Sequence, residues 1–200
     1  MAEAPRATLV KPVERRTFLR YSLFGTVAGG LGAFGVGILG FLWPSLSGGF
    51  GAKITLPVKA KDLLAEITAN KAPFEFPAGR MYIVAVDRSI PGFDDAYGDI
   101  APAVDGDMGL MALFQKCVHL GCRVPWCQTS QWFECPCHGS KYNKWAEYKG
   151  GPAPRGLDRF PAEIDGDGNF IVNTGALVTG PARTANVLQQ QPEGPNCVDL

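Results

Sequence analysis

Cys117-Val118-His119-Leu120-Gly121-Cys122 and, twelve residues further on, Cys135-Pro136-Cys137-His138-Gly139-Ser140 contain both histidines of the chain and four of its six cysteines. Thiolate and imidazole are ligands for soft and borderline metals. A set of two Cys and two His therefore suits a structural zinc ion or a 2Fe-2S cluster with two thiolates on one iron and two imidazoles on the other. A zinc finger usually groups its cysteines together and its histidines together. Here each segment offers one of each, Cys117 with His119 and Cys135 with His138. Each loop can then place one ligand on each of two irons. Cys122 and Cys137 are left over at matching places, and a bond between them would clamp one loop to the other in an oxidising compartment. On residue types alone, a zinc site and cysteines that bind no metal stay open beside the cluster.

The two segments resemble the cluster-binding loops of Rieske iron-sulfur proteins, in the version found in quinol-oxidising cytochrome bc and b/f complexes. The resemblance covers six positions. It implies that Cys117 and Cys135 ligate an inner iron, that His119 and His138 ligate an outer iron near the surface, and that Cys122 and Cys137 form an inter-loop disulfide. Ser140 and Tyr142 match a hydroxyl pair that, in high-potential members, donates to a bridging sulfide and to a ligand sulfur. Reduction adds negative charge, so such donors and neutral histidines both raise the potential, within a class range of about -150 to +300 mV. Gly151-Pro152-Ala153-Pro154 is similar to the family's proline loop, which shields the cluster from water.

What the resemblance implies for the whole chain is a mainly β fold, an antiparallel sandwich with a small cluster-binding subdomain near residues 115–158. It implies one 2Fe-2S cluster in a membrane quinol:cytochrome c oxidoreductase, or one with a plastocyanin-like acceptor. His138, with His119 beside it, would take the hydrogen bond and proton of the quinol. The partners so implied are a cytochrome b subunit, a c-type cytochrome and menaquinol, ubiquinol or plastoquinol, in a multi-subunit, dimeric complex. A second reading is the Rieske small subunit of an exported molybdenum oxidoreductase resembling arsenite oxidase. A Rieske oxygenase or its ferredoxin is disfavoured, because those generally lack the two disulfide cysteines and are cytosolic.

The elements that must carry these loops are legible upstream and downstream. Residues 21–43 contain no charged side chain, and 23 residues at about 1.5 Å each span roughly 34 Å, enough for a bilayer core of about 30 Å. Gly25 and Gly29 give a small-xxx-small spacing suited to packing against partner helices. Arg15-Arg16-Thr17-Phe18-Leu19-Arg20 resembles a twin-arginine export signal. Residues 1–20 carry a net +3 and residues 44–52 no charge, which puts the N-terminus in the cytoplasm of a bacterial cell and the large domain outside. The chain as a whole has 19 basic and 19 acidic side chains, and no basic patch points to nucleic acid.

Gly and Ser at 45–51 read as a linker, with hinge bounds at 44–52. Residues 53–182 then form one domain and 183–200 a tail. Strands are expected at 53–58, 80–86, 109–115, 131–134 and 169–173, the last after a turn at Asp165-Gly166-Asp167-Gly168, with one short helix at 61–69. Residues 87–107 are acidic and rich in Gly and Pro, which suggests a surface insertion; Asp94, Asp95, Asp99, Asp105 and Asp107 lack calcium-loop spacing. Cys127 and Cys197 have no place in the loop motif; they either pair with each other, pinning the tail near the subdomain, or remain free, with pairing the favoured alternative.

Overall fold

The computed structural model describes residues 14–42 and 50–199. They fall in two compact units, Met1–Ser45 and Leu46–Leu200. The first holds one helix, α1 (Arg15–Leu42), 28 residues long and apolar enough to cross a membrane. It starts six residues ahead of the uncharged run, so Arg15, Arg16 and Arg20 lie on the helix itself. At about 1.5 Å per residue it measures roughly 42 Å. Its large side chains, among them Phe24, Phe34 and Leu39, are exposed within this unit, as a lipid-facing or partner-facing helix requires. Linker residues 44–49 lie outside the described residues.

The second unit runs β1 (Lys53–Lys59), α2 (Ala60–Asn70), β2 (Phe74–Phe76), β3 (Met81–Asp87), α3 (Phe93–Tyr97), β4 (Ala103–Asp105), β5 (Met108–Phe114), β6 (Trp126–Cys127), β7 (Trp132–Glu134), β8 (Lys141–Tyr142), β9 (Tyr148–Gly150), β10 (Arg159–Phe160), β11 (Ala162–Ile164) and β12 (Asn169–Asn173). Three antiparallel sheets result, ordered β1-β12-β11, β10-β5-β3-β2 with β4 also on β5, and β6-β7-β8-β9. This is the mainly β, antiparallel architecture expected from the sequence.

β3 and β5 explain the layering. They pair over their whole length, from Met81 opposite Phe114 to Asp87 opposite Met108. Both read as nearly continuous apolar runs, since both of their faces are covered. With a side-chain period of two, Met81, Ile83, Leu110 and Ala112 face a core shared with β12 and α2, where Leu63, Leu64 and Ile67 also lie. Tyr82, Val84, Met111 and Leu113 face a second core that includes Phe133, Cys117, Cys135 and Tyr142. The central sheet is thus the floor of the cysteine-bearing subdomain. Replacing fully buried Leu110 by Ala would cost about 2–5 kcal/mol.

Two expectations need correction. Residues 50–52, assigned to the linker, belong to the domain. Phe50 stacks on Phe114 at 5.7 Å under the Arg80 guanidinium, Gly51 N–H donates to Thr174 Oγ1 at 2.9 Å, and Thr174 N–H donates to the Ala52 carbonyl. Ring stacking and two backbone hydrogen bonds outweighed the flexibility that the neighbouring glycines suggest. Residues 87–107 are not all surface: Phe93 and Tyr97 on α3 lie in the second core, and the Tyr97 hydroxyl donates to buried Glu147 at 2.9 Å. The segment from residue 183 onward packs on the subdomain through buried Leu188. Glu147 accepts from the Val187 and Leu188 N–H groups, Glu134 accepts from Val198 N–H at 2.8 Å, and Cys197 is bonded to Cys127.

Candidate metal centre

Each cysteine-bearing loop bridges two strands, the first between β5 and β6, the second between β7 and β8. Both are built the same way. Cys117 N–H donates to the Cys122 carbonyl and the Gly121 N–H back to the Cys117 carbonyl; Cys135 N–H donates to the Ser140 carbonyl and Gly139 N–H to the Cys135 carbonyl. The glycine four places after the first cysteine closes each loop with a positive φ, +85° at Gly121 and +71° at Gly139. A side chain there would pay for a left-handed backbone, which is why both loops carry Gly at that place. The two loops are related in hydrogen bonding, although their motifs differ.

Burial grades across the site. Cys117 and Cys135 are 3% and 1% exposed and are the free thiols among the described residues. His119 is half-buried and His138 exposed, and their rings meet edge to face at 4.9 Å. Cys122 and Cys137 form a disulfide that ties the loop tips together. The sulfurs of Cys122, Cys135 and Cys137 all lie within 4.8 Å of one another, but two of them are spent on the disulfide, so that trio cannot hold a metal. What remains for a metal is the pair of buried thiols and the pair of imidazoles.

The surroundings are set for thiolate chemistry. Burial first, and then the neighbouring Cys117 thiol, push the Cys135 pKa up, so a thiolate there is stable only beside compensating positive charge. Two ferric ions held at the site would supply it. The fully buried Tyr142 hydroxyl lies 3.2 Å from Cys117 Sγ. Desolvation, and then the hydrogen bond to that sulfur, raise the Tyr142 pKa above its ordinary value, so the phenol stays protonated and donates to a Cys117 thiolate. Ser140, also fully buried, accepts at Oγ from the Ala153 N–H at 3.2 Å, which leaves its own proton to donate. A donor set of two sheltered thiols, two imidazoles toward the surface and two hydroxyls fits a 2Fe-2S cluster better than a zinc ion, whose site would give the hydroxyls no sulfide or mixed charge to serve.

Residues 151–154 lie against the second loop. Gly151 has φ +85°, and a Cβ there would meet Ser140 Cα at 2.5 Å and the Gly139 carbonyl oxygen at 2.6 Å. That close approach, and the roles of Gly121 and Gly139, had a signal in the sequence: a glycine at the fifth place of each cysteine-led segment. Cys127 and Cys197 are bonded to each other, which settles the alternative that the sequence left open.

Comparison with known proteins yields the following. The family description "Rieske 2Fe-2S domain" matches residues 86–161. The cytochrome b6-f complex iron-sulfur subunit of Prochlorococcus marinus is 35% identical over 166 residues, covering 82% of this chain and 86% of that protein. The corresponding subunit of a Synechococcus species is 34% identical over 159 residues, 78% of this chain and 83% of that protein. Cytochrome b6-f complex iron-sulfur subunit 2 of a Synechocystis species is 31% identical over 166 residues, 82% of this chain and 87% of its own length.

Proposed function

The chain belongs to the Rieske 2Fe-2S family, and we propose that it is the iron-sulfur subunit of a membrane complex that oxidises quinol and reduces a c-type haem. Cys117 and Cys135 would hold the inner iron, His119 and His138 the outer one. Such a cluster supplies a one-electron acceptor. The chain supplies the rest: His138, exposed at the tip, is the group to which a quinol hydroxyl donates and which takes its proton. His119, half-buried beside it, offers a second imidazole. The Tyr142 hydroxyl against Cys117 Sγ and the Ser140 hydroxyl, whose proton is left free by the Ala153 N–H, would favour the electron's arrival, while the disulfide and residues 151–154 would shield the thiolates from water. The single observation that carries the reading is the burial gradient, two free thiols inside and two touching imidazoles outside.

A cytochrome b subunit would receive the tip, and the head would swing on residues 44–49 to the haem. Helix α1 would anchor the chain, with Arg15 and Arg16 cytoplasmic and serving an export route for folded, cofactor-loaded domains, and with the domain on the far side of a bacterial membrane. That side is oxidising, as two disulfides require. The test is to purify the membrane complex through this subunit and assay quinol-dependent reduction of cytochrome c. Co-purified cytochrome b and activity lost in His138→Ala are expected; a molybdopterin subunit in its place would overturn the assignment.

A further inference from the structure

Residues 151–154 are held from outside by a part of the chain far away in sequence. Two isolated antiparallel bridges, Arg159 with Val178 and Arg155 with Ala182, zip the strand leaving that loop to the segment that follows β12. The Gly156 N–H donates to the Pro181 carbonyl at 2.9 Å and Gly180 N–H to Asp158 Oδ1 at 2.9 Å, which fixes the register. Carried one residue further, that register sets Arg183 opposite Pro154.

There Arg183 closes a triangle. Its guanidinium lies 4.3 Å from the centre of the Tyr148 ring, donates to the Tyr148 hydroxyl, and donates to the Gly151 carbonyl at 2.9 Å; the Tyr148 hydroxyl donates to the same carbonyl at 2.5 Å. Both donors converge on the one residue whose backbone is pressed against Gly139 and Ser140. Two residues on, Ala153 N–H holds Ser140 Oγ. Arg183 itself is exposed, so the contact is not a requirement of the core.

We propose that Arg183 and Tyr148 are positioning residues: a latch that keeps residues 151–154 seated on the second loop, fixes the Ser140 hydroxyl as a donor, and so raises the reduction potential of the bound cluster. The proposal rests on the reading of these loops as the cluster site. Arg183→Ala removes the guanidinium's donations to Gly151 and to Tyr148, and Tyr148→Phe removes the hydroxyl's donation to Gly151 while keeping the ring. The measurement is a redox titration of the cluster, followed by EPR, in membranes containing the full complex. Each substitution should lower the midpoint potential with the EPR signal retained, and neither should shift it further in a Ser140→Ala background, where the hydroxyl it positions is gone. An equal downward shift in both backgrounds would show a through-space charge effect and overturn the latch, as would no shift or an upward one. A protein without any cluster signal before substitution would overturn the underlying site reading instead, which separates the two failures.

Discussion

At the residue scale, the site's chemistry lies in how its side chains divide between sheltering and presenting. Cys117 and Cys135 are buried while His119 and His138 lie nearer the surface, so a cluster held there would gain charge where water is scarce and present its imidazoles where a substrate can reach. The Tyr142 phenol on Cys117 Sγ favours the more negative state. Its net contribution is on the order of 1 kcal/mol, equivalent to about 40 mV for a one-electron couple. Tyr142→Phe is therefore expected to lower the midpoint potential by about that much with the cluster retained, as a redox titration would read; an unchanged potential would count against the bond. The cysteines, histidines and hydroxyls were all readable from sequence, because each loop motif is short and local. Arg183 and Tyr148 were not readable, since their meeting at Gly151 depends on a register set between segments nearly thirty residues apart.

The elements show which loop features tolerate no substitution. Gly151 is required by close approach more than by φ, since an added Cβ would stand 2.5 Å from Ser140 Cα with backbone on every near side. Gly151→Ala should displace the second loop and lose the cluster, seen as loss of EPR signal in protein that still folds by circular dichroism. Tyr97 tests another element. Its hydroxyl is one of several donors to buried Glu147, alongside Asn143 Nδ2 and two tail N–H groups. Tyr97→Phe should cost about 1–3 kcal/mol in urea denaturation. Burial raises the Tyr97 pKa in the fold above its unfolded value of about 10. The neutral phenol's contribution is thus fully present below pH of about 10 and lost as pH rises beyond it, and the Phe variant should lose less stability over that alkaline range. The long strands β1, β3, β5 and β12 were legible from their β-branched and apolar runs. The two- and three-residue strands β6, β8, β9 and β10 were not, because segments so short carry no period; tertiary pairing alone makes them strands. α3 was read as a solvated loop because Asp94, Asp95 and Asp99 outweighed the two aromatic residues that bury it.

At the scale of the whole second unit, the C-terminal segment is strapped down covalently. The Cys127–Cys197 disulfide closes a span of 70 residues across the subdomain. Loop-closure entropy puts its contribution at about 4 kcal/mol. Cys197→Ser should lower the thermal unfolding midpoint while leaving the EPR signal and midpoint potential in place, because neither bonded cysteine belongs to the loops that carry the ligands. Phe50, Gly51 and Ala52, which the sequence assigned to the linker, are anchored in the domain. Shortening the chain within 44–49 should slow quinol-driven turnover with an unchanged potential. The most direct test of the central claim, that these two loops hold a cluster which quinol reduces, is EPR of membranes after quinol addition. A 2Fe-2S signal with mixed thiolate and imidazole ligation should develop in the unaltered protein and vanish in His138→Ala. A silent protein containing stoichiometric zinc, or a signal that survives loss of His138, would contradict it.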